Sequence, residues 1–417
     1  MMRVLLAERR RERTAIEKAR GAMMVLAVAV ALCAAVAAQP AADLDRLFQA
    51  HQWIELRSAV TDRSPALMRA AVATAFNDPQ TAERLLREVI RSAPASNDAD
   101  QAYDLLLRIY MRSGQYRRWV TSYRQWIAAL PDSARARAEE GDEQGLAGQP
   151  DQMNGRPRHA VLRHDPGDLT IPVSVNGKVD DFLFDTGAWH SVMSARMAAR
   201  LELKPDATNR VMHGSSGQST GFREAVAKEL DIGGTRIRNV SFAVIGTGPF
   251  ADVDAGILGM PVLLALGAIR WSPDGAVEIG STASRPRADA NLVFDRNRLL
   301  LRTRVFGRDV LTTLVTGATT TDLNANFAET FPQAVQGAKK GTTDITGVGG
   351  TQAFESLEIP EVTFGIGPAE VLLRPATVTL QRIGTIGGEC CVGNAGNDLL
   401  KRSGFTIDFS AMTLRLE

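Results

Sequence analysis

The spacing of apolar residues divides the chain into stretches of different texture. Basic groups crowd residues 3–20, and an unbroken apolar run follows from Met23 to Ala38. Residues 42–131 then carry apolar positions at helical spacing, as in Leu44, Leu47 and Phe48, then Trp53, Ile54 and Leu56. The stretch DPQTAERLLREVIRSAP opens on an acid and Pro79 and closes before Pro94, the punctuation of one helix. Residues 98–133 predict two more helices, broken at Ser113-Gly114. Residues 132–157 are polar, contain glycine, and predict a linker. Beyond residue 158 the period falls to two. Leu169, Ile171, Val173 and Val175 alternate, Asn176-Gly177 marks a turn, and Val179, Phe182 and Phe184 follow. That pattern predicts a β-hairpin. Residues 299–317 repeat it around Gly307. Short strands and Gly-rich turns are expected from there to the end.

Composition changes this picture only in part. The chain has 417 residues, 45% hydrophobic and 23% charged, with a net charge of +1. This is the balance of a folded protein of two or three domains. It gives no electrostatic reason to expect a nucleic-acid partner. The five histidines are scattered, no CxxC pair occurs, and neither a metal nor a cofactor site is expected. Cys390 and Cys391 are neighbours. A disulfide between adjacent residues is strained, so two separately packed thiols are the expectation. The apolar run is short for a membrane span and ends in Ala35-Val36-Ala37, a small-x-small cleavage pattern. Residues 1–39 are therefore expected to be a signal peptide that sends the chain out of the cytoplasm. A single uncleaved membrane anchor is the alternative.

The β region reads as two copies of one unit. In DFLFDTGAWHSVMS (181–194) and TTLVTGATTTDLNA (312–325), Thr186-Gly187-Ala188 falls on Thr316-Gly317-Ala318. Ser191 falls on Thr321 and Met193 on Leu323, but Asp185 falls on Val315. A short helix follows each turn, at 194–201 and 324–331. A Gly-rich hairpin comes next in each copy, with His213, Gly214 and Gly217 in the first and residues 346–354 in the second. ELDIGGTRIRNVSFAVI is then set against SLEIPEVTFGIGPAEVLL. Last, GILG (256–259) is set against GNAG (393–396). The growing offset is what loop insertions produce. Residues 158–283 and 289–417 are expected to be two related β-lobes.

This order of features resembles the pepsin/retropepsin aspartic proteases. Lobe one carries the motif set in Leu183-Phe184-Asp185-Thr186-Gly187-Ala188, the Gly-rich hairpin as a flap, and Gly256-Ile257-Leu258-Gly259. The resemblance implies a mainly β, bilobal fold of two retropepsin-like barrels, here preceded by a helical domain. It also implies a peptide or protein substrate in the cleft between the lobes. In that family two carboxylates share one proton. One activates a water and the other protonates the peptide carbonyl. Asp185 is the first acid on this reading, and Thr186 bonds across to the partner loop. Lobe two has Val315 at the second acid's place, while Thr316 and Gly317 keep the loop's form. Asp309 and Asp322 are near in sequence, but neither is expected to replace the lost acid. Tyr103, Leu107, Tyr110, Gly114 and Tyr116 resemble a tetratricopeptide repeat, and a plain helical hairpin bundle fits them equally.

Three functional readings follow. The chain is an aspartic endopeptidase with its second acid drawn from elsewhere, such as a second chain pairing lobe one with lobe one. Or it is a pseudo-protease whose cleft binds peptide without cutting it. Or the helical region is the working part, binding a protein partner, and the lobes are its platform. Asp185 also has a bland reading, as an Asx-turn acid capping its own loop. Trp189 and His190 are candidates to line the cleft. Ser191 is expected to bond Asp185 or the backbone.

Overall fold

The structure, a computed structural model, describes residues 43–163, 169–281, 288–381, 390–401 and 403–417. The expected leader, residues 1–39, lies outside them. Helices run over Trp53–Ala59, Ala66–Ala75, Pro79–Ser92, Asn97–Arg112 and Tyr116–Ala129. Their ends follow local chemistry. Asp78 accepts the Thr81 N–H at 3.1 Å with Pro79 in the first turn, and Ser96 caps the next helix through the Ala99 N–H. Gly114, at φ +68°, makes the break expected there. A Cβ at that position would lie 2.7 Å from Gln152 Cβ, so the turn also needs glycine for space.

The segment expected to be a linker is more ordered than its polarity implied. Ala134–Ala138 and Glu140–Leu146 are short helices. Ser133 caps the first by accepting the Ala136 N–H at 3.1 Å. Asp100 accepts from Trp126 at 2.8 Å and from Arg135 at 2.6 Å, and Glu139 pairs with Arg108. The segment's Ala, Arg, Glu and Gln are good helix formers, and these bonds dock it.

The rest of the chain is β. In Thr170–Val175 the side chains alternate, and Ile171, Val173 and Val175 are fully buried. Asn176 and Gly177 have φ of 50° and 90°, the left-handed pair that a two-residue hairpin turn requires. Phe306 and Gly307 do the same in the second copy, at 48° and 77°. Lobe one's sheet runs 235–245, 191–194, 256–258, 178–184, 170–175, 219–232, and closes because 219–232 also pairs with 235–245. The corresponding path in lobe two runs 376–379, 322–323, 393–395, 308–314, 298–305.

The sheet of lobe two stays open because the strands that close lobe one are split in it. Val362–Ile366 pairs with Arg298–Val305 as the end of Ser219–Ile232 pairs with Thr170–Val175, with Arg304 opposite Gly365 where Ser174 is opposite Asp231. Gly350–Ile359 and Val362–Ile366 together answer to Ser219–Ile232, and Ala369–Leu373 and Ala376–Thr379 to Thr235–Ile245, with Pro360 and Pro375 at the two breaks. The segment SLEIPEVTFGIGPAEVLL, set against ELDIGGTRIRNVSFAVI by pattern, therefore starts too early in lobe two. The fold is mainly β and bilobal, with the helical region in front, as expected.

A third sheet ties the lobes together. Ala268–Trp271 of lobe one pairs with Phe405–Asp408 of lobe two, flanked by 276–281 and 160–163 on one side and 413–416 on the other. Trp271 stacks on Phe405 at 6.1 Å between centroids and meets the edge of Phe184 at 5.8 Å. The helical region packs on the same body. Asp295, at the start of lobe two, accepts from His51 at 2.6 Å and from Trp53 at 3.2 Å, and Arg112 lies over the Phe294 ring. Cys390 and Cys391 are joined as a disulfide, with Cα atoms 3.8 Å apart. This corrects the expectation of two separate thiols: the chain turns there, just before a buried run, and brings the sulfurs together.

Candidate active site between the lobes

Each lobe sends one loop to the interface, and the loops grip each other reciprocally. The Thr186 N–H donates to Thr316 Oγ1 at 3.0 Å, and the Thr316 N–H donates to Thr186 Oγ1 at 3.1 Å. Each hydroxyl then donates to a carbonyl of the other lobe: Thr186 to Leu314 O, and Thr316 to Phe184 O, both at 2.7 Å. Both threonines are buried. The cross-bond expected of Thr186 is one half of a symmetric set.

The loops are held from behind in the same way. Ser191 Oγ accepts the Gly259 N–H at 3.0 Å, and Thr321 Oγ1 accepts the Gly396 N–H at 3.0 Å. Asp185 and Val315 donate their N–H groups to Leu258 and Ala395. Ser191 thus serves the backbone, not Asp185. Gly259 and Gly396 each lie against the loop backbone of their own lobe, at His190 and Thr320, too closely for a Cβ.

Asp185 Oδ1 accepts the Gly187 N–H at 2.8 Å and, from the other lobe, the Gly317 N–H at 3.0 Å. The first bond is the Asx-turn that the bland reading supposed. The second reaches across the interface, which a loop cap has no need to do. Desolvation by burial pushes the Asp185 carboxyl up, against the pull of the Gly187, Gly317 and Ala188 amides. The glycines face the opposite side chains. A Cβ at Gly317 would lie 2.8 Å from Asp185 Oδ1, and a Cβ at Gly187 would lie 2.6 Å from Val315 Cγ1. Val315 therefore stands over Gly187 as Asp185 stands over Gly317. The sequence position expected for a second acid is thus the spatial mirror of Asp185, and it holds two methyl groups.

The remaining candidates lie apart from this pair. Asp309 is exposed and pairs with Arg304 at 3.3 Å on the hairpin. The Asp322 carboxylate accepts from Asn394 Nδ2 at 3.1 Å. Among the described residues, no cluster of three or more histidine, cysteine or carboxylate side chains could hold a metal ion. His190, read as a candidate to line the cleft, is buried in a polar network. Its Nε2 meets Glu224 Oε1 at 2.7 Å, Ser241 donates to the same oxygen at 2.9 Å, and Tyr116 of the helical region lies 6.1 Å away, ring to ring. Burial works against charge on His190, but Glu224 outweighs it and the pKa rises. Sequence reasoning missed this network because it depends on how the helical region docks. Trp189 is partly exposed.

Both lobes carry the Gly-rich hairpin expected to be a flap. Arg210–His213 pairs with Ser219–Ile232 around Gly214 and Gly217, and Lys339–Gly347 pairs with Gly350–Ile359. His213 is exposed, and its Nδ1 lies 3.0 Å from Ser219 Oγ. The flap tips touch. Ser215 Oγ donates to Thr346 O at 3.2 Å, and a Cβ at Gly214 would lie 3.0 Å from Gly349 N. Glycine at the tips lets the two backbones meet.

Residues 171–262 match a family model described as aspartyl protease. No curated protein matches the chain. Among solved structures, an aspartic proteinase from Irpex lacteus is similar at 15% identity over 62% of this chain and 96% of that one, with a TM-score of 0.41. A retropepsin-like aspartic protease from Rickettsia conorii is similar at 21% identity over 31% of this chain and 92% of that one, with a TM-score of 0.24.

Proposed function

We propose that this chain is a peptide-binding relative of the aspartic peptidases. Its cleft takes an extended peptide beneath the two flaps, and it does not hydrolyse that peptide by the shared-proton route. One observation carries this reading: Val315 stands across Gly187 in the place that mirrors Asp185. A single carboxylate cannot both activate a water and donate a proton to the carbonyl in one step. The Asp185 carboxylate instead serves as a fixed hydrogen-bond partner for a peptide amide or an ordered water.

The reading in which two chains pair their first lobes is disfavoured by the third sheet. Lobe two would have to give up the strand pairing of 268–271 with 405–408 and all four threonine bonds. Export through the leader would put such a cleft among extracytoplasmic peptides, and the helical region would be its buttress. The test is a diverse peptide library offered to the chain from residue 40, with binding and cleavage read separately. Binding without cleavage in wild type and in Asp185→Asn supports the proposal. Wild-type cleavage that Asp185→Asn abolishes overturns it.

A further inference from the structure

The two lobes line the cleft with opposite chemistry. In lobe one, Val192 lies opposite Ala243 in one strand pairing and opposite Ile257 in the other, and Ile245 follows two residues along. Val192, Ala243 and Ile245 are buried in a cluster that also takes in Met212, Phe222, Ile257 and Val348. Met212 and Phe222 belong to flap one, and Val348 is the tip of flap two. This apolar patch therefore faces the space that the flaps cover.

The same register in lobe two puts Asp322 opposite Thr377 and opposite Asn394, with Thr379 two residues along. Every apolar wall position is thus polar in the second copy: Val192 becomes Asp322, Ala243 becomes Thr377, Ile245 becomes Thr379, and Ile257 becomes Asn394. Flap two keeps its apolar pair, Phe354 with Ile345, but these form a small cluster of their own without a partner from the wall. Asn394 donates to the Asp322 carboxylate, and Asp398 lies near, held by the Thr321 N–H at 2.8 Å and hydroxyl at 2.6 Å. Among the described residues, no cation pairs with either acid. Burial pushes the Asp322 carboxyl up to about 6, with Asn394 pulling the other way and Asp398 adding to the rise. A half-buried carboxylate beside a second acid is a place where an incoming cation gains a charge-assisted hydrogen bond.

We propose that the lobe-two wall is a subsite for an arginine or lysine side chain of the bound peptide, with Asp322 as its charge partner, while the lobe-one wall takes an aliphatic side chain. This rests on the reading of the cleft as a peptide site. The test uses the full chain from residue 40 and peptide sets carrying arginine, leucine or glutamate at each position in turn. Affinities would be measured for wild type, for Asp322→Asn, and for Asp322→Val combined with Asn394→Ile, which rebuilds lobe one's lining. At one position wild type should prefer arginine to leucine by roughly tenfold, the scale of one charge-assisted bond. Asp322→Asn, nearly the same shape, should cut that preference to about twofold, and the double variant should turn it toward leucine. Peptides that bind with no basic preference at any position, or a preference that survives Asp322→Asn, overturn the subsite alone. Failure of every peptide to bind overturns the peptide cleft and the subsite with it.

Discussion

Val315→Asp puts the reasoning about the missing acid at most risk. The site is built to receive it. Gly187 leaves open space facing residue 315, as Gly317 does facing Asp185. Donors stand ready as well. The Gly187 and Gly317 N–H groups both go to Asp185 Oδ1, and a second carboxylate could share them by the same symmetry that relates the threonines. Two carboxylates about 4 Å apart repel by about 4 kcal/mol at an effective dielectric of 20. At 1.36 kcal/mol per pKa unit, that separates the two ionisations of the pair by about 3 units. Between those values the pair holds one proton, the state that general acid and base need together. The second acid also enters a desolvated site, so its folded pKa lies above its unfolded one. The variant's loss of stability should therefore grow as pH rises from acid to neutral.

The assay is peptide cleavage across acidic to neutral pH by wild type, Val315→Asp, and Val315→Asp combined with Asp185→Asn. The single variant should show a bell-shaped profile with a rate at least about a hundredfold above wild type, the lower end of what a positioned acid and base contribute. The combined variant should lose that gain. A folded, peptide-binding Val315→Asp with no turnover at any pH would falsify the claim that one residue disarms the cleft.

Three further outcomes follow from the same geometry. Thr316→Val leaves the Thr186 N–H and the Phe184 carbonyl buried without partners and should cost about 2–4 kcal/mol in denaturant melts, whereas a loss under about 1 kcal/mol would mean that water or a shifted loop replaces the bonds. Desolvation alone would raise the Asp295 pKa, but His51, Arg298 and Trp53 together hold it below the ordinary value. Asp295→Asn should thus cost about 2–4 kcal/mol at neutral pH, and the gap from wild type should close as pH falls through the folded pKa; a gap that persists in acid would show that the loss is packing and not charge. With its pKa raised to about 6, Asp322 favours the folded state only while protonated. Unfolding free energy should fall by up to about 3 kcal/mol between pH 4 and 7, Asp322→Asn should flatten that slope, and an unchanged slope would show that Asp322 is well solvated.

The hairpins could be read from the chain because alternation and an Asn-Gly turn are local signals that survive in any context. The two-copy arrangement was legible for a related reason. Thr186-Gly187 and Thr316-Gly317 are short, distinctive and a nearly constant distance from the helices and flaps that follow. The splitting of the closing strands at Pro360 and Pro375 was not legible, because alternation continues on either side of each break. His190 was misplaced because its surroundings come from Tyr116 and Glu224, which approach from elsewhere in the chain. The helices at 134–146 did carry a signal, in a Ser cap and good helix formers, but the segment's glycines and polarity masked it.

The cleft walls show most clearly what register adds to a repeat. The alignment that set Met193 on Leu323 already set Val192 on Asp322, but an acid in one copy of a turn says nothing about where it points. Only the pairing of 322 with both 377 and 394 reveals that a whole apolar lining has been exchanged for a polar one. The reciprocal threonines supply the converse lesson. Thr316 donates its hydroxyl to Phe184 and accepts from Thr186, so the form of loop two is required by lobe one even when loop two carries no acid. A Thr-Gly at that place is therefore evidence that the lobes are joined, and Val315 beside it is the evidence about chemistry. Read this way, an intact grip and an absent acid do not conflict. On the peptide-binding reading, the grip holds two walls of unlike chemistry together, which is what selecting a peptide requires and what cutting it does not by itself supply.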